Sequence, residues 1–259
     1  MGTSAKRARF PSRGSTIRLP VPMPEGMSVN DLVLVQGMHD TKLALRRWNA
    51  DPLRMLGPWA VLSLLISFGL LAAVYVVAKL STPDFTRYLI PGFNVEATFG
   101  DYLAVLYRNS LVLALHAMAC VAGFMAGSSL PLSASKRSGV SRWVHEKAGP
   151  LAIGFVVCAT GFSLCTQAYV IGGGASAIAA QLGTTPGMLL LALLPHALPE
   201  LFALFLPLAA WIIASRAGNW QDLLAATFVT VAIAVPILLA SAAMEVWGAP
   251  HLLEAIARP

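Results

Sequence analysis

Five long apolar runs divide the chain: Pro58–Leu80, Ser110–Leu132, Gly149–Gly172, Gly187–Ser215 and Leu223–Trp247. A hydrocarbon core of ~30 Å is crossed by roughly 20 mostly apolar helical residues. Each run reaches that length, so the pattern predicts five transmembrane helices in an all-α polytopic bundle. The fourth run is too long for one straight crossing, since Gly187 to Ser215 spans about 43 Å at the helical rise. Pro195, Pro199 and Pro207 interrupt it. Proline removes a backbone donor and disfavours helix in the residue before it, so a break near Pro195 is expected. It would leave an outer interfacial or re-entrant piece, Gly187–Leu194, followed by a span from Ala197 to Ser215.

The flanking segments are more polar. Residues 1–27, rich in Arg, Lys, Ser and Pro, read as a basic flexible tail. Residues 28–56 read as an interfacial segment. Ser28-Val29-Asn30-Asp31 resembles a helix start of the capping-box kind, and Leu32–Trp48 mixes apolar residues with Lys42, Arg46 and Arg47, which predicts a helix lying along the membrane. A short strand at Leu32–Val35 is the alternative, because four apolar residues have no readable period. Residues 57–250 then form the transmembrane domain and 251–259 an external tail. Within it, the aromatic loop Ser81–Tyr107 suits the headgroup layer, with Asn94–Leu106 expected as an amphipathic surface helix. Gly172-Gly173-Gly174 signals a turn or a close backbone approach.

Composition agrees with a bilayer as solvent: 57% of residues are hydrophobic and 12% charged, against roughly one-quarter charged in a soluble domain. The charges are also unevenly placed. Lys6, Arg7, Arg9, Arg13, Arg18, Lys42, Arg46, Arg47 and Arg54 precede the first run, Lys136, Arg137, Arg142 and Lys147 separate the second and third, and Arg216 follows the fourth. The other side has Lys79, Arg87, Arg108 and Arg258. By the positive-inside rule the N-terminus is cytoplasmic and the C-terminus external. The net charge of +6 then reports topology and not a nucleic-acid surface. Cys120, Cys158 and Cys165 fall inside the runs, as small packing residues.

Polar residues inside the runs are the candidates for function, because they are costly in hydrocarbon unless paired or used. His196 and Glu200, four residues apart, share a helix face. Measured from the expected outer ends of their spans, His116, Gln167 and Glu245 lie at similar depth, with Asn109 at the outer end of the second span. An outer-leaflet cluster of His196, Glu200 and Glu245, joined by His116 or Gln167, is expected; a purely structural bundle of interhelical hydrogen bonds is the alternative. His116, His196, Glu200 and Glu245 make an acceptable ligand inventory for a zinc-like ion, but no HExxH helix is present. Ser163 lacks a Gly-x-Ser-x-Gly elbow, and haem between His116 and His196 rests on two histidines alone. No catalytic residue and no cofactor is assigned. Gly123 and Gly127 form a GxxxG, which permits close helix packing.

An Asn-led second span with Gly123 and Gly127, the Pro195-His196-x-x-x-Glu200 motif, and a fifth span closing Ala242-Ala243-x-Glu245 with Pro250 together resemble the stage II sporulation protein M family over about residues 50–255. The resemblance implies a five-span membrane protein with a cytoplasmic N-terminus, in a family whose founding member works beside two peptidoglycan hydrolases as an anchor or platform. The chain departs from the family at Ala197, where glycine is common, and at Arg108-Asn109, where a pair of asparagines is common. The resemblance thus implies a divergent, non-enzymatic subunit of a bacterial cytoplasmic membrane that organises envelope proteins such as cell-wall enzymes, or copies of itself. A permease or channel subunit is the alternative, because interrupted helices line substrate sites, and an intramembrane metal-dependent hydrolase comes third.

Overall fold

The computed structural model describes residues 29–84, 87–129 and 139–257; the basic segment 1–27 and Ser28 lie outside them. Among the described residues seven helices follow one another: α1 Val29–Ala50, α2 Pro52–Leu80, α3 Phe99–Phe124, α4 Gly139–Gln181, α5 Pro186–Arg216, α6 Leu223–Ala243 and α7 Ala249–Ile256. A π turn, Met125–Ser129, extends α3, and a second, Met244–Gly248, joins α6 to α7. Five stretches are long and apolar enough to cross a membrane: Pro52–Leu80, Phe99–Gly127, Ile153–Gln181, Pro186–Arg216 and Trp220–Ile256. The protein is an integral membrane protein, an all-α polytopic bundle.

Several spans extend beyond their apolar runs at the end carrying the 81–98 loop, here the loop end. At α3 the cause is a capping box: the Thr98 hydroxyl accepts from the Asp101 N–H at 3.3 Å, and the Asp101 carboxylate accepts from the Thr98 N–H at 2.8 Å. Two orphan donors are thereby satisfied and the helix starts at Phe99. The surface helix expected over Asn94–Leu106 is therefore corrected, its helical part being the first turns of α3. Asn94 instead fastens the loop, donating to the Tyr88 carbonyl and accepting from the Ile90 N–H. The turn expected at Gly172–Gly174 is also absent, because α4 runs on to Gln181 and the chain turns at Gly183, where φ is +62°. Gly172 is a site of close approach: a Cβ there would lie 2.6 Å from the Val77 Cβ of α2.

The expected break at Pro195 is not found, for α5 is helical from Pro186 to Arg216. Proline leaves a carbonyl without its donor, and in a membrane neighbouring side chains can make up the loss. Pro207 deprives the Ala203 carbonyl of its usual donor, and three carbonyls beside that one receive side-chain donors from other helices. Ser63 of α2 donates to the Phe202 carbonyl at 2.7 Å, His116 of α3 to the Leu204 carbonyl at 2.9 Å, and the Cys120 thiol to the Pro207 carbonyl at 3.2 Å. Pro195 and Pro199 lie on an exposed face of α5, where their rings displace no packed neighbour.

The core is centred on α5, which packs against α2, α3 and α6 and is buried almost all round from Leu201 to Trp211. Phe205 is fully enclosed among Leu70, Cys120, Phe124 and Leu223. At the opposite end α1 docks through Trp48, edge-on to Trp59 at 5.4 Å, and through Arg47, which holds Asp222 at 2.6 Å. The strand alternative at Leu32–Val35 is thus replaced by helix. Residues expected as an external tail from 251 onward include most of α7, whose Leu253 is buried.

Candidate functional site

The polar residues of the spans meet in a chamber of about 400 Å³ lined by Arg108, Asn109, Gln167, His196, Glu200 and Glu245. Each comes from a regular element that fixes its depth. At the helical rise, His196 lies about 15 Å and Glu200 about 21 Å inside the loop end of α5, Asn109 about 15 Å inside α3, and Gln167 about 21 Å inside α4. Glu245 belongs to the π turn Met244–Gly248, a wide turn that re-aims a side chain and recurs at functional sites. The sulfur of Met244 fills the space above Gly248, where a Cβ would collide with it.

Charge is unevenly balanced in this chamber. Arg108 Nη2 stands 4.0 Å from Glu245 Oε1, beyond direct hydrogen-bond distance. Glu200 feels both Glu245 and Arg108 across the chamber. Asn109 lies beside the Glu200 carboxylate without closing a hydrogen bond, and its Nδ2 has no partner. His196 is 7% exposed, and its Nδ1 has no partner either. Gln167 donates to the Ser163 hydroxyl at 3.0 Å. A second chamber of about 270 Å³ adjoins toward the loop end and shares Arg108, Leu193, His196 and Glu245; Ile90 and Pro91 of the loop and Pro250 and Leu253 of α7 are among its walls.

His196, Glu200, Glu245, Gln167 and Asn109 are therefore brought together, and His116 is not. Its ring packs on Phe205 at 5.3 Å, and Nδ1 donates to the Leu204 carbonyl, about 12 Å along α5 from His196. A carbonyl oxygen only accepts, so Nδ1 carries the proton, and Nε2 is left without a partner. His116 and His196 cannot share one ion, and among the described residues no three of His, Cys, Asp and Glu group closely enough to hold a metal. The expectation that His116 joins the cluster is corrected: it braces α5.

Gly123 and Gly127 lie at the α1 end. A Cβ on Gly123 would meet Leu223 at 2.7 Å and the Trp211 indole at 2.8 Å, and one on Gly127 would collide with Trp220. These glycines seat two indoles rather than a second helix backbone. Of the cysteines, Cys120 is buried, whereas Cys158 and Cys165, expected to pack, are exposed on α4.

Arg108 is the site residue that the apolar pattern misses, because it precedes the second run and counts there as a loop charge. The signal that finds it is Thr98-x-x-Asp101, a helix start that places Arg108 inside the span. Compared with family models, with curated proteins and with solved structures, the chain matches none.

Proposed function

We propose that the protein is a membrane-integral subunit that holds a partner protein of the bacterial cell envelope against α4, in the manner of the anchor or platform that its resemblance to the stage II sporulation protein M family implies. One observation carries this reading. The apolar window of α4 is 6% buried with a hydropathy of 1.5, while the other four spans are 22–39% buried with hydropathies of 1.8–2.5. A span whose outside met only lipid tails would be the most apolar of the five, because polar groups are costly there. In α4 the order is reversed. Gly154, Cys158, Gly161 and Cys165 recur along one exposed face, and a Cβ on Gly154 or Gly161 would meet nothing within 4 Å. Small residues in such a row let another helix approach closely.

The native thiols Cys158 and Cys165 supply the test. A short bis-maleimide applied to native membranes is expected to give an adduct containing a second polypeptide, identifiable by mass spectrometry. The adduct should vanish in the Cys158→Ser, Cys165→Ser double variant and weaken in Gly161→Leu. An adduct of two identical chains would make the complex a homo-oligomer. Efficient labelling of both thiols by a lipid-dissolved maleimide, with no adduct, would mean that α4 faces lipid and would end the reading.

The polar chamber favours a second reading, a permease or channel subunit. Against it stand the deepest lining residues, Val112, Leu201 and Leu204, which are apolar and lie toward the α1 end.

A further inference from the structure

We infer that the larger chamber is a binding site for an organic monocation: a primary ammonium group held between Glu200 and Glu245, with a short aliphatic chain lying along Leu70, Val74 and Leu193. This does not depend on what covers α4. The chamber walls carry two carboxyl groups and one guanidinium, so with both acids ionised one negative charge would stay unbalanced until a cation entered. Such a charge is costly in apolar surroundings. The guanidinium acts on both acids only from a distance, since it stands 4.0 Å from Glu245 and its side chain is 70% exposed. An anionic ligand would meet one outlying cation and two acids.

A further group points to a ligand. His196, 7% exposed, lines the chamber and keeps Nδ1 without a hydrogen-bond partner. Neutral imidazole offers Nδ1 as an acceptor when Nε2 carries the proton. An alkylammonium has three donors and no acceptor, so it matches a wall of carboxylates, amide oxygens and imidazole. A metal ion fits less well, because no three of the usual ligands converge among the described residues. The volume of about 400 Å³ lies in the range of small-molecule sites, and Leu70, Val74, Ile171, Leu190 and Leu193 give the carbon chain an apolar bed.

The test uses the full chain in phosphatidylcholine nanodiscs, with unfolding followed against temperature at constant ionic strength. n-Butylammonium chloride is compared with sodium chloride and with neutral n-butyramide. Butylammonium alone is expected to give a saturable rise in Tm, about 5 °C at a hundredfold excess over Kd. The rise should disappear in Glu200→Gln, shrink in Glu245→Gln, and persist in Glu254→Gln, which alters an exposed acid of α7. An equal rise with sodium would overturn the proposal in favour of an inorganic cation, and an equal rise with butyramide in favour of apolar filling. A rise unchanged in Glu200→Gln would overturn it as well. Should Glu200→Gln not fold, the three solutes on the unaltered chain still decide, because equal Tm values in all three rule the site out.

Discussion

Around Pro207, the carbonyls of Phe202, Leu204 and Pro207 accept hydrogen bonds from Ser63, His116 and Cys120 on two other helices. Around Pro195 and Pro199, in the other half of the same helix, His196 keeps an unpartnered nitrogen and Glu200 faces a chamber it shares with a second carboxylate. Both halves contain proline, and a histidine packs in each. Among the described residues, side chains of other helices bond to the α5 backbone in the first half, although His116 there also keeps Nε2 without a partner. The difference separates two uses of polar residues in a membrane: in the first they tie the backbone of a proline-bearing helix to its neighbours, and in the second they stay available to something outside the helix bundle.

The two histidines give the sharpest way to break this comparison. His116→Leu removes the side-chain hydrogen bond to the Leu204 carbonyl and the packing on Phe205 and is expected to cost about 2–3 kcal/mol, read as a drop in thermal stability. His196→Leu removes a group with an unmet hydrogen bond and should stay within about 1 kcal/mol of the unaltered protein. Equal losses in both would erase the distinction between the halves.

The glycines extend the contrast to two helices. Gly127→Ala drives a methyl group into Trp220 and is expected to destabilise by about 1–3 kcal/mol. Gly161→Ala, in open space on α4, should instead be neutral or stabilising by up to about 1 kcal/mol in the purified chain. A destabilising Gly161→Ala in that preparation would mean that α4 is already covered.

Ser63→Ala sharpens the first half further. Loss of the bond to the Phe202 carbonyl should cost about 1 kcal/mol, measurable in the same assay and coupled in a double mutant with His116→Leu if the braces act on one helix segment. Smallest of all, Arg47→Ala cuts the partly exposed pair with Asp222 and should cost under about 1 kcal/mol, less still in high salt.

The number and order of the spans were legible in the apolar pattern because lipid demands runs of a fixed minimum length. Their loop ends were not. The apolar pattern puts Arg108 before the second span and Asn109 at its outer end, Gly172 at the end of the third and Ala197 at the start of the fourth, yet the helices reach Phe99, Gln181 and Pro186. A hydropathy reading stops where polar residues begin, and here polar residues lie inside the bundle. Outside the first span, whose helix ends at Leu80 as the run does, the shortening was similar, roughly two to three turns, so His196, Glu200, Gln167 and Glu245 kept their common level even though all were placed too shallow. His116 sits two turns below Asn109 on the same stripe of α3, a depth that carries it past the chamber. The continuity of α5 was hidden for another reason: the side chains that hold its proline-bearing segment belong to α2 and α3, and no local pattern in α5 announces them.

The braces on α5 also carry a consequence for the order in which the protein is made. Ser63, His116 and Cys120 all precede α5 in the chain, and synthesis delivers N-terminal segments first. When the proline-bearing helix leaves the ribosome, the hydroxyl, imidazole and thiol that tie it to α2 and α3 are already in the bilayer. A circular permutation that moved α5 ahead of α2 would have to insert that helix before its tethers exist.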